Sequence, residues 1–130
     1  MHGYKWRAES IETGNTLYLL NATPDQDDNV FTDLTEASNY DGEITVSRIS
    51  TDWDVWTESD ASDYASVQMK DQTFTASGGT CTTTHSGLLD NNATEASRQI
   101  EAFFDHGATQ NIPDASTLTL QDLELRGSTV

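Results

Sequence analysis

Short segments of alternating polar and apolar residues recur along the chain. Residues 43–49 alternate without a break and place Ile44 and Val46 on the same side, which is typical of a β-strand with one buried face. Residues 16–20 form a short apolar run, and residues 80–85 are rich in threonine. β-branched and aromatic side chains suit a pleated sheet, so both segments are predicted strands.

Two longer segments show the same alternation. Residues 64–76 alternate and end at a glycine pair, and residues 116–125 alternate at both ends with a change of phase near Gln121. Residues 95–104 are ambiguous, because they fit a helix of about ten residues while Ile100 and the residues after it also alternate as in a strand.

The spacing of these elements predicts the fold class. Seven to eight short strands, polar turns and at most one short helix favour an all-β, antiparallel β-sandwich with jelly-roll-like character. We expect one sandwich domain over residues 16–130. Residues 1–15 are predicted to form an N-terminal arm or a first strand that runs through Tyr4 and Trp6.

The charge is strongly acidic and narrows the functional classes. Twenty-two Asp and Glu residues stand against six Lys and Arg residues, which gives a net charge of −16. Such a surface disfavours nucleic acid and anionic membranes, because binding to either depends on basic side chains. Aspartate outnumbers glutamate and only two lysines are present, so we interpret the chain as a protein adapted to high salt, where charge repulsion is screened.

Chain length and cysteine content limit the number of domains and the possible disulfides. A chain of 130 residues fits one domain with a sizeable core. The single cysteine, Cys81, excludes an intramolecular disulfide and is expected to be a buried, inert thiol. No apolar run reaches the roughly 20 residues of a membrane span, and no signal peptide is visible, so we expect synthesis in the cytoplasm.

An acidic loop is the candidate for a bound cation. Asp25, Asp27 and Asp28 follow Pro24, and their alternating oxygen atoms resemble part of a calcium loop. The loop lacks the central glycine and the bidentate glutamate of an EF-hand. A solvated loop without cofactor is therefore the main expectation, with calcium or monovalent cations as the alternative.

Two tryptophans indicate ligand binding as an alternative function. Trp53 and Trp56 lie among acidic residues, where they can serve as a stacking platform for a carbohydrate or as part of a core. The histidines His85 and His106 have no ligand spacing and are expected at the surface or in turns. No nucleophile motif or phosphate-binding loop is present, so the sequence predicts a protein that is not an enzyme.

The order of segments resembles small structural proteins encoded among the head and tail genes of tailed double-stranded DNA viruses. In that group a polar loop is followed by a Thr-Glu-Leu segment and then by Tyr-Ala-Arg before a strand. Here Tyr40 matches, whereas Asp41 and Gly42 stand where Ala and Arg are expected. The segments that carry the resemblance are residues 16–20, 32–36, 40–46, 72–74 and 80–85.

The resemblance implies a virion protein, and the acidic composition implies a virus of a haloarchaeon. We expect a capsid decoration or turret component on a symmetry axis, with a tail or fibre component and a carbohydrate-binding module as alternatives. Its expected partners are further copies of itself, as a trimer or pentamer, and other virion proteins such as the major capsid protein. The candidate contact residues are the aromatic side chains Tyr4, Trp6, Trp53 and Trp56.

Overall fold

The computed structural model describes residues 14–46, 57–59, 64–121 and 123–128, and these ranges carry nine strands. All pairings between them are antiparallel. The strands are β1 Asn15–Leu20, β2 Ile44–Val46, β3 Thr57–Ser59, β4 Tyr64–Gln68, β5 Gln72–Thr75, β6 Cys81–Leu89, β7 Ile100–Ile112, β8 Thr117–Leu120 and β9 Glu124–Ser128.

The first layer is a four-stranded sheet in the order β2-β1-β6-β7. β1 lies inside this sheet, and all six of its residues are buried. Its continuous apolar run, in place of alternation, reflects burial on both faces of the sheet. β7 lies at the edge and is the longest strand, with 13 residues.

The second layer is a ribbon in which β4 pairs with β9 and β5 pairs with β8. Gln68 pairs with Glu124 and Gln72 pairs with Leu120, so the register is the same on both sides of the interruption. The amide of Met69 donates to the carbonyl of Leu123 across this gap at 2.7 Å. The two pairings therefore form one continuous ribbon, with β3 beside β4.

Each face of β1 contributes to a different core. Leu17 and Leu19 belong to the main core between the sheet and the ribbon, together with Phe74. Tyr18 and Leu20 belong to a smaller core on the opposite face. The loop between β1 and β2 covers that core, and the rings of Tyr18 and Phe31 lie 4.8 Å apart. The other buried members of the main core are Ala37, Val46, Met69, Ala76, Cys81, Leu88, Ile112 and Leu120.

The predicted all-β, antiparallel, sandwich-like fold is confirmed. Nine strands form where seven to eight were expected, because β4–β5 and β8–β9 are each interrupted. The helical alternative for residues 95–104 is wrong, since Glu95–Ser97 forms a 3-10 turn and Ile100 begins β7. The residues from Ile100 onward form a strand because they pair with β6. The jelly-roll-like connectivity stays a prediction.

The predicted domain division rests largely on residues outside the described ranges. Asn15 belongs to β1, so the first described strand begins one residue before the predicted boundary at residue 16. Residues 1–13 lie outside the described ranges, and the predicted arm stays a prediction. Within the described ranges no helix is long and apolar enough to cross a membrane.

Candidate functional site

The predicted contact residues lie outside the part of the chain that the structure describes. Tyr4, Trp6, Trp53 and Trp56 all fall in the gaps. Their proposed roles in self-association or glycan stacking therefore stay predictions. The described residues instead show three other features: the acidic loop, a charged cluster around Arg98, and a cleft beside β7.

The acidic loop satisfies much of its hydrogen bonding internally. A carboxylate oxygen of Asp28 accepts from the Asp25 amide at 2.8 Å, and a carboxylate oxygen of Asp25 accepts from the Asp27 amide at 3.0 Å. The side-chain amide of Asn29 donates to the Asp27 carbonyl. Among the described residues, no group of three or more His, Cys, Asp or Glu side chains could hold a metal ion.

The acidic charge lies at the surface. Every carboxylate whose side chain the structure describes is exposed or half-buried, and none is buried. The basic side chains described in the same ranges are Lys70 and Arg98. The carboxylates are those of Asp25, Asp27, Asp28, Asp33, Glu36, Asp41, Glu43, Asp71, Asp90, Glu95, Glu101, Asp105 and Asp114.

Arg98 is the cation at the centre of a cluster on the smaller core. Its Nη1 donates to the hydroxyl of Tyr18 at 2.6 Å, and its Nε donates to the carbonyl of Asn92 at 2.9 Å. Nη1 also lies 3.5 Å from a carboxylate oxygen of Glu43 and 3.8 Å from one of Glu95. The guanidinium therefore ties the 3-10 turn before β7 to β1 and to the residue before β2.

The Tyr18 hydroxyl is both donor and acceptor in this cluster. It donates to a Glu95 carboxylate oxygen at 2.8 Å while it accepts from Arg98. Burial, and then the hydrogen bond to Glu95, raise the pKa of Tyr18 well above its ordinary value. The phenol is therefore neutral at any physiological pH and serves as a fixed polar link between the two charged side chains.

Glu36 extends the acidic side of the cluster. Its carboxylate accepts a hydrogen bond from the Tyr40 hydroxyl. Partial burial raises the pKa of Glu36 above its ordinary value, the Tyr40 hydrogen bond opposes that shift, and Glu95 and Glu43 add to it by repulsion. The folded state therefore disfavours the charged form of this carboxyl group.

Glu36→Gln is expected to stabilise the protein at neutral pH and to have little effect in acid. The folded pKa of Glu36 is raised, so ionisation costs stability above that pKa, and the cost disappears below the unfolded value. Glutamine keeps an acceptor for Tyr40. Chemical denaturation is expected to show a gain below about 1 kcal/mol at pH 7 and none near pH 3. A gain of equal size at both pH values would contradict the electrostatic cause.

A long bulge interrupts β7 beside two histidines. Thr83 pairs with Gln110 and His85 pairs with Asp105, so four residues of β7 lie opposite one residue of β6. Gly107 adopts a φ of 82°, a conformation that glycine accepts readily. Its amide donates to Asp105 at 2.8 Å.

His106 turns from this bulge toward the main core. Its Nε2 lies 2.6 Å from the hydroxyl oxygen of Ser86. Burial, reinforced by the nearby His85 ring, lowers the pKa of His106, so the imidazole is neutral at pH 7. His85 lies on the other face, with its Nε2 3.8 Å from a carboxylate oxygen of Asp105.

The Ser86–His106 contact fits a packed polar pair better than a catalytic dyad. A nucleophilic serine needs a base that a third group orients, and it must reach the substrate. Ser86 is completely buried. Among the described residues, Nδ1 of His106 has no hydrogen-bond partner. The contact therefore satisfies two polar groups beneath β7.

A cleft of about 280 Å³ lies between β7 and β8. Among the described strands, β7 pairs only with β6 and β8 pairs only with β5, so the cleft lies between two strand edges. Leucines of the ribbon supply its apolar lining, and polar side chains flank them. The lining residues are Asp105, His106, Gln110, Leu118, Thr119, Leu120, Gln121 and Leu123.

The sequence predictions missed both the cluster and the cleft. His85 and His106 were expected at the surface or in turns; His85 is buried and His106 is half-buried. Cys81, Thr83 and His85 are alternate residues of β6, and all three are buried. This period-2 pattern in the sequence could have predicted the burial of His85. The expectation of a buried thiol at Cys81 is confirmed, and burial raises its pKa.

Comparisons with known proteins give no relative from which a function can be transferred. No family model, no curated protein and no solved structure matches this chain.

Proposed function

We propose that this chain is a structural protein on the virion of a tailed virus that infects a haloarchaeon, as a capsid decoration or turret component. The observation that carries the proposal is the placement of charge. All the described carboxylates lie at or near the surface of a β-scaffold with few basic side chains. At molar salt the Debye length is about 3 Å, so such a surface stays hydrated while its self-repulsion is screened.

The scaffold suits a mechanical role. β1 is buried on both faces, and two cores hold the sheet between the ribbon and the loop that follows β1. A particle surface needs a stiff fold with tolerant loops, and it imposes closed symmetry on its subunits. The sequence resemblance to tailed-virus structural proteins supports the same role. The proposed partners are copies of this chain, as a trimer or pentamer, and the major capsid protein.

The direct test is the copy number in purified particles. Quantitative mass spectrometry counts this chain against the major capsid protein. Copies on the order of tens to hundreds, in a ratio that icosahedral symmetry allows, support a decoration or turret. A count of about three to twelve assigns the chain to the tail or a fibre. Absence from the particle rejects the virion role.

Self-association is expected to strengthen with salt. Apolar contacts gain from salt that is excluded from the surface, while screening removes repulsion between the acidic copies. Light scattering coupled to gel filtration is expected to show a larger oligomer at about 2 M KCl than at about 0.2 M KCl. An oligomer that dissociates as KCl rises would indicate an interface held by ion pairs instead.

A further inference from the structure

We propose that two copies of this chain pair through the free edge of β7, with residues 108–112 of each copy antiparallel about a two-fold axis near Gln110. The contact joins two four-stranded sheets into one sheet of eight strands. The proposal rests on the self-association that the proposed function requires, and it names one contact between copies. A two-fold contact adds to a trimer or pentamer by linking neighbouring oligomers.

The outer edge of β7 is open along residues 108–112. β7 lies at the end of its sheet and pairs only with β6 among the described strands. Ala108, Thr109 and Asn111 are exposed. Within the described ranges, no backbone hydrogen bond from a turn or loop reaches residues 108–112. The N–H and C=O groups on this side of the strand can therefore pair with a further strand.

This segment lacks the features that usually protect an edge strand. Exposed edges are commonly blocked by charged side chains, by proline within the strand or by a bulge. The first half of β7 has such features, since it contains Glu101 and Asp105 and the bulge begins after Asp105. Residues 107–113 contain no Asp, Glu, Lys or Arg, although the chain has 22 acids in 130 residues. The uncharged half of β7 is therefore the part of this edge that favours pairing.

The same edge of a second copy is the partner that matches this segment. When a strand pairs antiparallel with its own copy about a two-fold axis, both edges are used and the assembly closes. Pairing with a different edge, such as that of β2, leaves an open edge on each new copy and produces a filament. β2 has only three residues and follows Glu43. In the β7 pairing, both strands are uncharged, so no two carboxylates meet across the ladder.

The flanking residues limit the ladder to five residues. In a register centred on Gln110, residues 108–112 of one copy pair with the same residues of the other in reverse order. The next pair on either side would join Gly107 to Pro113. Gly107 belongs to the bulge and has a φ of 82°, and proline has no N–H to donate. The ladder therefore ends at equivalent points on both sides of the axis.

A ladder of this length makes a weak contact in solution. A standard interface buries about 800 Å² on each partner, and five strand residues bury less. Gln110 also lines the cleft between β7 and β8, so an added strand lies at its mouth and covers part of its leucine lining. Backbone hydrogen bonds carry no net charge, so molar KCl screens the repulsion between the acidic copies without weakening the ladder. The contact therefore acts where copies are crowded, as on a particle.

Proline substitutions at adjacent positions test the ladder by dimer dissociation of the full-length chain at about 2 M KCl. Gln110 and Asn111 lie in the regular part of β7, where each pairs with one residue of β6. One of their two N–H groups therefore points to β6 and the other to the free edge. Of Gln110→Pro and Asn111→Pro, the edge-facing change is expected to keep the thermal midpoint and to raise the dissociation constant at least about tenfold, because each copy loses a donor. The other change removes a bond to β6 and is expected to lower the midpoint.

Cysteine cross-linking gives an independent measurement. Gln110→Cys places a thiol at the two-fold axis, where the Cα atoms of opposite residues are about 4.5–5.5 Å apart, within the range of a disulfide. Mild oxidation is expected to give a covalent dimer. Thr32→Cys is the matched control, because Thr32 is exposed on the 3-10 turn Phe31–Asp33, outside the ladder. Cys81 is buried and is expected to stay reduced in both variants.

The outcomes separate this contact from the virion role. A wild type that stays monomeric up to about 1 mM refutes the contact, and the copy number in particles then decides the virion role separately. An oligomer that the edge-facing proline leaves intact shows association through another surface and also refutes it. If both prolines lower the midpoint, the cross-linking decides: a dimer with Gln110→Cys in excess over Thr32→Cys supports the contact, and equal yields reject it.

Discussion

Dilution from about 2 M to about 0.1 M KCl is expected to lower the thermal midpoint by more than about 10 °C, or to unfold the protein. The described carboxylates lie at the surface, where Glu43 and Glu95 share the Arg98 guanidinium and both repel Glu36. As the Debye length grows from about 2 Å to about 10 Å, their repulsion is no longer screened. Circular dichroism at a series of KCl concentrations measures the effect.

Sucrose is the control for general exclusion of solute from the surface. It favours the compact state without screening charge. If screening stabilises the protein, sucrose at low salt is expected to recover only a small part of the midpoint. A midpoint that is independent of KCl would reject the high-salt interpretation, and full recovery with sucrose would reject screening as its cause.

The strands of the ribbon were predictable because apolar and polar residues alternate along them. Alternation in residues 64–76 and 116–125 marks the two sides of the ribbon. The change of phase near Gln121 falls at the interruption between β8 and β9. The matching interruption on the partner side, after Gln68, was not predicted. This second interruption follows from the register in which the two strands pair. Alternation within one segment gives no information about that register.

The sites could not be predicted, because long-range contacts create them. Tyr18 and Arg98 are 80 residues apart in sequence, and no local pattern connects them. Arg98 follows a 3-10 turn in a segment whose sequence pattern fits either a helix or a strand. The direction of the Arg98 side chain could therefore not be predicted. The bulge in β7 likewise depends on pairing with β6, although Gly107 marked a position that tolerates positive φ.

Replacement of Arg98 by methionine is expected to lower the free energy of unfolding by about 2–3 kcal/mol, as expected for losing hydrogen bonds of a charged group. The change removes the donors to Tyr18 and Asn92 and leaves Glu43 and Glu95 without their cation. Methionine retains an apolar chain of similar length, so the packing of the stem is largely kept. Urea denaturation at fixed high salt measures the difference.

Lys70→Met is the matched control, because it removes the same charge from an exposed side chain. Surface changes of this kind usually stay within about 0.5 kcal/mol. Arg98→Lys separates charge from geometry. A single ammonium cannot reproduce a guanidinium that donates from Nε to Asn92 and from Nη1 to Tyr18, so we expect it to recover only part of the loss. If Arg98→Lys matches the wild type, net charge alone explains the role of this residue; if Arg98→Met matches Lys70→Met, the cluster contributes nothing beyond one surface cation.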